Sequence, residues 1–259
     1  MKKTLIALAV AASAAVSGSA MAWTQNGTGG SVDLGGTLTP VEKVTPWEVK
    51  VGAAVNDLDA QIQKGQKEVS IAVNKAIPVL GIRNASTNGF EGRQGIKPQI
   101  DYNGAIDLDG FSKGVTTLTL KVTDADGNKS GTLSAPFSSA GASSWSGGGS
   151  VSGSKTLYSS ASGDSFYGGL AKNRNQALLA GAVELIGALS SDFVGKWVVQ
   201  GTKWYDGTET FADQGINYYG VYGSGIEQGK TIKITLDKAA SGDDSIQWKA
   251  SLPVTVSYQ

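Results

Sequence analysis

Cysteine and histidine are both absent from these 259 residues. Their absence excludes thiolate nucleophiles, imidazole bases, Ser-His-Asp triads and Cys/His metal sites. It also excludes disulfides, so the fold must rest on hydrogen bonds and its own core. Proline is scarce, at six residues. Charge of one sign is not in excess: 22 basic residues stand against 22 acidic ones, evenly spread. Nucleic-acid binding, which needs a concentrated basic face, is not expected. The only long apolar run lies at the start. Lys2 and Lys3 precede an apolar stretch over residues 5–16, and Ala20-Met21-Ala22 fits the small-x-small cleavage rule. Residues 1–22 therefore read as a signal peptide, with Trp23 as the mature N-terminus. The run is shorter than the ~18 residues a membrane span needs, and no later segment reaches that length.

Glycine is abundant, at 36 residues. With serine, threonine and asparagine it punctuates short apolar runs, the pattern of an exported all-β protein. Residues 47–55 (WEVKVGAAV), 68–73 (EVSIAV) and 115–123 (VTTLTLKVT) alternate as strands do. In the last of these Val115, Leu118, Leu120 and Val122 supply most of the buried face. Asp126-Gly127 is a hairpin turn signal, with residues 130–137 as the partner strand. Asp124-Ala125-Asp126-Gly127-Asn128 resembles the start of an acidic calcium loop but lacks the closing glutamate, so it reads as a turn and no metal site is assigned. Pro78 in 77–82 (IPVLGI) suggests an edge or interrupted strand. Residues 57–67 read as a loop or short helix. Further strands are expected over 96–102, 104–108, 215–221, 230–236, 245–250 and 252–259.

From Ser138 to residue 165, Ser, Gly and Ala dominate. That composition suggests an insertion or long surface excursion rather than a core strand, with a flexible interdomain linker as the alternative. Residues 175–189 (NQALLAGAVELIGAL) follow as the one persuasive helix. Leu178, Leu179, Val183, Ile186 and Leu189 line one side, and Asn175 stands at the N-cap.

The two ends share a design. In GGSVDLGGTLTP (29–40), Val32, Leu34, Gly36 and Leu38 fall on one side of an extended strand. In LPVTVSYQ (252–259), Leu252, Val254, Val256 and Tyr258 do the same. A strand with a full apolar face needs a partner sheet, and an unpaired edge is a pairing liability.

The first of these segments resembles the N-terminal extension of chaperone–usher pilins. Val254-Thr255-Val256-Ser257-Tyr258 resembles their C-terminal strand with its penultimate tyrosine. The leader MKKTLIALAVAASAA, Trp47 to Gly52 (WEVKVG) and the end from Gln247-Trp248 are similar to the K88 (F4), F41 and CS31A group of enterobacterial fimbrial subunits. The resemblance implies an incomplete immunoglobulin-like sandwich over residues 41–259, with an insertion at about 138–200. It is completed by a donor strand from the 23–40 extension of the next subunit. It implies a periplasmic chaperone, an outer-membrane usher and identical subunits in a head-to-tail polymer as partners. Val32, Leu34 and Leu38 would be the donor knobs, and Gly36 would sit where the groove is shallow. Val254, Val256 and Tyr258 would form one groove wall and meet the chaperone. In the K88 group the extra segments bind host carbohydrate, which makes a host glycoconjugate a further implied partner. Trp145, Tyr158 and Tyr167 are the candidate sugar platforms, with Lys172 and Arg174 as hydrogen-bond donors.

Two other readings compete. A monomeric secreted lectin-type module would close its own sheet with the N-terminal strand. A glycosidase needs two carboxylates; Asp206 and Glu209 are close in sequence but sit in a YDGTET turn, and no paired acidic motif is present. No cofactor is expected.

Overall fold

Where apolar and polar residues alternate most cleanly, at 47–51, 68–72 and 115–123, the chain forms strands. The computed structural model describes Gln25, Val32 and residues 34–39, 44–147, 151–241 and 243–259. Residues 1–43 and 44–259 form two separate units. The signal peptide expected at 1–22 lies outside the described residues.

The second unit is all-β apart from one short helical segment. Its strands are β1 (Trp47–Val51), β2 (Glu68–Ala72), β3 (Ile77–Asn84), β4 (Phe90–Glu91), β5 (Pro98–Asp101), β6 (Val115–Thr123), β7 (Lys129–Gly147), β8 (Val151–Leu157), β9 (Trp204–Gly207), β10 (Ile216–Ile226), β11 (Thr231–Leu236), β12 (Lys249–Ala250) and β13 (Thr255–Tyr258). The main sheet runs β1-β3-β10-β7-β11-β2, with β6, β8 and β4 joined to its central strands; β13 and β5 form a separate pair. The main core contains Leu80, Ile82, Leu118, Val122, Leu133, Phe137, Ile232 and Ile234. At one end Trp47 packs edge-on against Phe90 and Phe211, with ring centroids 4.9 and 5.0 Å away. Deep inside, the Tyr102 hydroxyl lies 2.8 Å from that of Tyr222 and 2.6 Å from Ser224 Oγ. Burial pushes the Tyr222 hydroxyl up to about 12.

The structure revises several expectations. Residues 138–147 are not a surface excursion: they continue β7, the longest strand, between β10 and β8. Their small side chains mark close packing rather than flexibility. Three of the four buried serine hydroxyls there donate to a carboxylate or a carbonyl, Ser138 Oγ to Glu227 at 2.5 Å, Ser143 Oγ to Glu209 at 3.1 Å and Ser144 Oγ to the Val198 carbonyl at 2.5 Å. The ladder of β3 with β1 stops at Leu80, so Pro78 answers to the second of its two readings, an interrupted strand. It faces Gly225, next to a register shift in β10, where a ladder N–H is not required. The helix is only Ala182–Leu189 (α1), because Gly181 before it is left-handed, at φ 76°. Upstream, Asn173 accepts the N–H groups of Asn175 and Gln176 in a separate turn. In β6 the buried set is Thr116, Leu118 and Val122, with Leu120 half-buried, so Val115 belongs to the other side. The 245–250 strand is reduced to β12.

A second apolar cluster lies on the opposite face of the sheet. Ala140, Ala142 and Val221 are covered there by Ala182, Ile186 and Phe193, from α1 and the 3-10 turn at Ser191–Val194. Glycine makes this possible. A Cβ on Gly223 would lie 2.7 Å from Ile186 Cγ2, and one on Gly81 would enter the Phe193 ring. Gly81→Val should therefore destabilise the domain by about 1–3 kcal/mol. Chemical denaturation measures the loss, and limited proteolysis should cut first at 182–194.

Candidate functional site

Two apolar faces of the domain are left half covered. β1 pairs Val49 with Ile82 and Val51 with Leu80. Direct antiparallel partners share a face, so both valines point to the side of Leu80 and Ile82. Those partners are completely buried, yet Val49 and Val51 are 41% and 59% exposed. The core thus extends from β3 to β1 and is not closed there. The chain stays irregular through 52–63, with Leu58 and Ile62 half-buried against the core. Among the described residues, no backbone N–H from 53 to 64 donates to a backbone carbonyl.

β13 shows the matching feature. Among the described residues its only strand partner is β5. Leu252, Val254, Val256 and Tyr258 are half-buried on the core, while positions 253, 255, 257 and 259 are exposed. The strand ends where β1 begins. Gln259 and Lys97 exchange backbone hydrogen bonds of 3.0 Å, and the neighbouring Ile96 carbonyl accepts from Trp47 Nε1 at 2.6 Å. Burial raises the Tyr258 hydroxyl above its ordinary value, against a lowering hydrogen bond with Thr45, just before β1.

On the other face of β1 the side chains are charged. Glu48 accepts from Lys196 Nζ at 2.7 Å and Arg83 Nε at 2.9 Å. Asp192 accepts from Lys50 Nζ at 2.7 Å and Arg83 Nη1 at 3.0 Å. The bond from Lys196, then that from Arg83, holds the Glu48 carboxyl below its ordinary value; Lys50 and then Arg83 do the same for Asp192.

In the N-terminal unit Val32, Leu34 and Leu38 are 74%, 93% and 97% exposed. A Cβ on Gly36 would meet nothing within 4 Å.

The sugar candidates fall into separate groups. Trp145 is half-buried on β7, its ring 5.9 Å from Tyr205, with Lys155 Nζ 5.3 Å from its centroid. Tyr158 lies near enough to Arg174 to act on its charge, and Arg174 pairs with Asp206. Tyr167 stands similarly near Lys172, which bonds Asp109 at 2.5 Å. Both cations thus already have carboxylate partners. Trp204 and Tyr205 on β9, 47% and 50% exposed, were missed from sequence; two adjacent rings in a polar stretch were the available signal. The carboxylates weighed for glycosidase chemistry are engaged structurally. Asp206 holds Arg174. Glu209 is buried and accepts from Ser143 Oγ and Lys155 Nζ, each at 3.1 Å. In the acidic turn Asp124 Oδ1 accepts the N–H groups of Asp126 and Asn128, and the described residues hold no cluster of three or more metal-binding side chains.

A family model described as "Fimbrial, major and minor subunit", that of the K88 fimbriae, matches residues 1–259. The chain belongs to the K88 fimbrial family. It is 35% identical to the K88 fimbrial protein AD of Escherichia coli and 34% identical to K88 fimbrial protein AB of the same species, over the whole of each chain. It is 29% identical to the F41 fimbrial protein of E. coli, again over both full lengths. As a K88-family member the chain is a structural fimbrial subunit, exported to the cell surface in fimbriae rather than acting as an enzyme.

The charged face of β1 has a pH signature. Both carboxyls have lowered values in the folded state, so their contribution is complete above the ordinary carboxylate range and is lost as pH falls through the lowered values. Unfolding free energy should decline on acidification. A Glu48→Gln/Asp192→Asn double variant should show a shallower decline in denaturant titrations between about pH 7 and 3.

Proposed function

We propose that this chain is the major, repeating subunit of a thin fimbria that polymerises by donor-strand exchange, and that it also binds host glycans. The observation that carries the first part is the exposure of Val49 and Val51 on the face that holds the buried Leu80 and Ile82. A core face left open on an edge strand fits an acceptor for an additional strand. The half-buried row from Leu252 to Tyr258 supports the same reading from the other wall. The 32–38 segment supplies the complement: seven residues, matching 252–258 in length, roughly 20 Å of extended chain. Its Val32, Leu34 and Leu38 would each gain about 1.5–3 kcal/mol on full burial. Gly36 would pass where the floor is shallow. A periplasmic chaperone would fill the seam first and meet Val254, Val256 and Tyr258. An outer-membrane usher would then exchange it for the extension of the next copy. Because donor and acceptor lie on different parts of one chain, the contact is head-to-tail and propagates.

Deleting residues 23–39 should leave a subunit that binds chaperone and does not polymerise. Gly36→Leu should do the same, because a large side chain would enter the shallow site. Electron microscopy and sedimentation of surface fractions measure fibre yield; normal yield from the deletion would end this reading.

For glycan binding, the aromatic faces of Trp145, Tyr158 and Tyr167 and the donors Lys172 and Arg174 remain the proposed contacts. The exposed rings of Trp204 and Tyr205 extend the platform. On a glycan array, Arg174→Ala and Trp145→Ala should each reduce bound signal about tenfold without changing fibre yield. Unchanged profiles in both variants would remove these residues from the site.

A further inference from the structure

β1 has an unusual mechanical problem. Among the described residues it is an edge strand with one strand partner, β3. Its first residue is anchored, because Trp47 is buried among Phe90, Phe166 and Phe211 and its Nε1 is hydrogen-bonded. The next four residues lack that anchor. Their core-facing side chains, Val49 and Val51, are 41% and 59% exposed. Side-chain burial, which fixes most strands, contributes little here until another strand arrives.

The outer face supplies a substitute. Glu48 and Lys50 belong to a chain of alternating charges, Lys50–Asp192–Arg83–Glu48–Lys196, so each carboxylate has two cations. Three parts of the fold contribute: β1, β3 and the 3-10 turn with the residue two beyond it. Arg83 joins them, adding a 2.5 Å bond from Nη1 to the Asp192 carbonyl. Lys196 also donates to the Ala85 carbonyl. The Arg83 and Lys196 side chains are largely covered, so the links through them are screened less than the Lys50–Asp192 pair, whose side chains are about half exposed or more. The turn is itself fixed, since Phe193 sits on Gly81.

We propose that this ion-pair chain is a positioning device for assembly. It holds β1 from behind, so that the apolar seam is already shaped when an incoming strand reaches it. The proposal rests on the donor-strand reading above. It has one distinctive consequence. Once a donor strand covers Val49 and Val51, their burial holds β1 and the charges become redundant. The network therefore governs capture of the strand and has little effect on the finished fibre.

The test uses the full-length chain, following conversion of exported subunit to sedimentable polymer by pulse labelling, with thermal dissociation of the finished fibres measured in parallel. Arg83→Gln removes the central link. The Lys50→Gln/Lys196→Gln double variant removes only peripheral cations and serves as the deciding variant if Arg83→Gln fails to accumulate. The expected result is polymerisation slowed by about tenfold, with the dissociation temperature of the fibres unchanged. A rate within about twofold of the parent overturns the proposal. So does a parallel fall in rate and dissociation temperature, which marks a general structural role. The deletion of residues 23–39 separates the two ideas. If that variant polymerises, the donor-strand reading itself fails. If it does not, and the charge variants assemble normally, only the positioning role is lost.

Discussion

An apolar strand face must be covered by something, and among the described residues of this domain the rule is left unmet along β1 and only half met along β13. The exception is local. Leu80 and Ile82 are completely enclosed, whereas their direct partners Val51 and Val49 are open. One strand spacing, under 5 Å, separates full burial from exposure. Such a boundary is costly for a molecule that stays alone. For a subunit of a K88-family fimbria it fits the proposed exchange, in which an extended segment with alternate apolar residues completes the core. The proposed exchange draws its support from that geometry and from the exposed row at Val32, Leu34 and Leu38.

Much of the remaining architecture protects this arrangement. The aromatic group around Trp47 fixes the start of β1, and the backbone pair between Gln259 and Lys97 brings the end of β13 to the same place. On the far face, α1 and the 3-10 turn seal a second, smaller cluster over Gly81, Gly223, Ala140 and Ala142. Small residues there let the helical segment approach the sheet closely. Without that contact Asp192 and Lys196 would have no fixed position from which to reach Arg83, Lys50 and Glu48. The helical segment thus belongs to the same mechanical unit as the open seam.

The polar interior follows similar rules. β7 carries serines where most central strands carry valine or leucine, and most of the buried hydroxyls are bonded to carboxylates or carbonyls. Glu209, enclosed and bonded to Ser143 and Lys155, secures the loop that brings Phe211 into the aromatic group. These bonds make the segment after residue 138 part of the core, not an attachment to it.

The amino-acid sequence by itself determined the all-β class, the alternating faces of β2, β6, β11 and β13, the Asp126-Gly127 turn and the family. These are properties of neighbouring residues: a period of two, a turn dipeptide, a terminal motif. The tertiary structure decided what depends on residues far apart. It decided between the two readings of Pro78, an edge or an interruption, because the register shift that accommodates it lies in β10. It made a serine-rich stretch a central strand, because the partners of its hydroxyls lie up to 89 positions away in the chain. It cut the helix at Gly181, where the backbone turns left-handed. It gathered Trp204 and Tyr205 beside Trp197 and Trp145, a grouping no local pattern contains. Above all, it revealed which apolar faces remain uncovered. Sequence marks a face as apolar; only the packing of every other element determines whether anything lies against it.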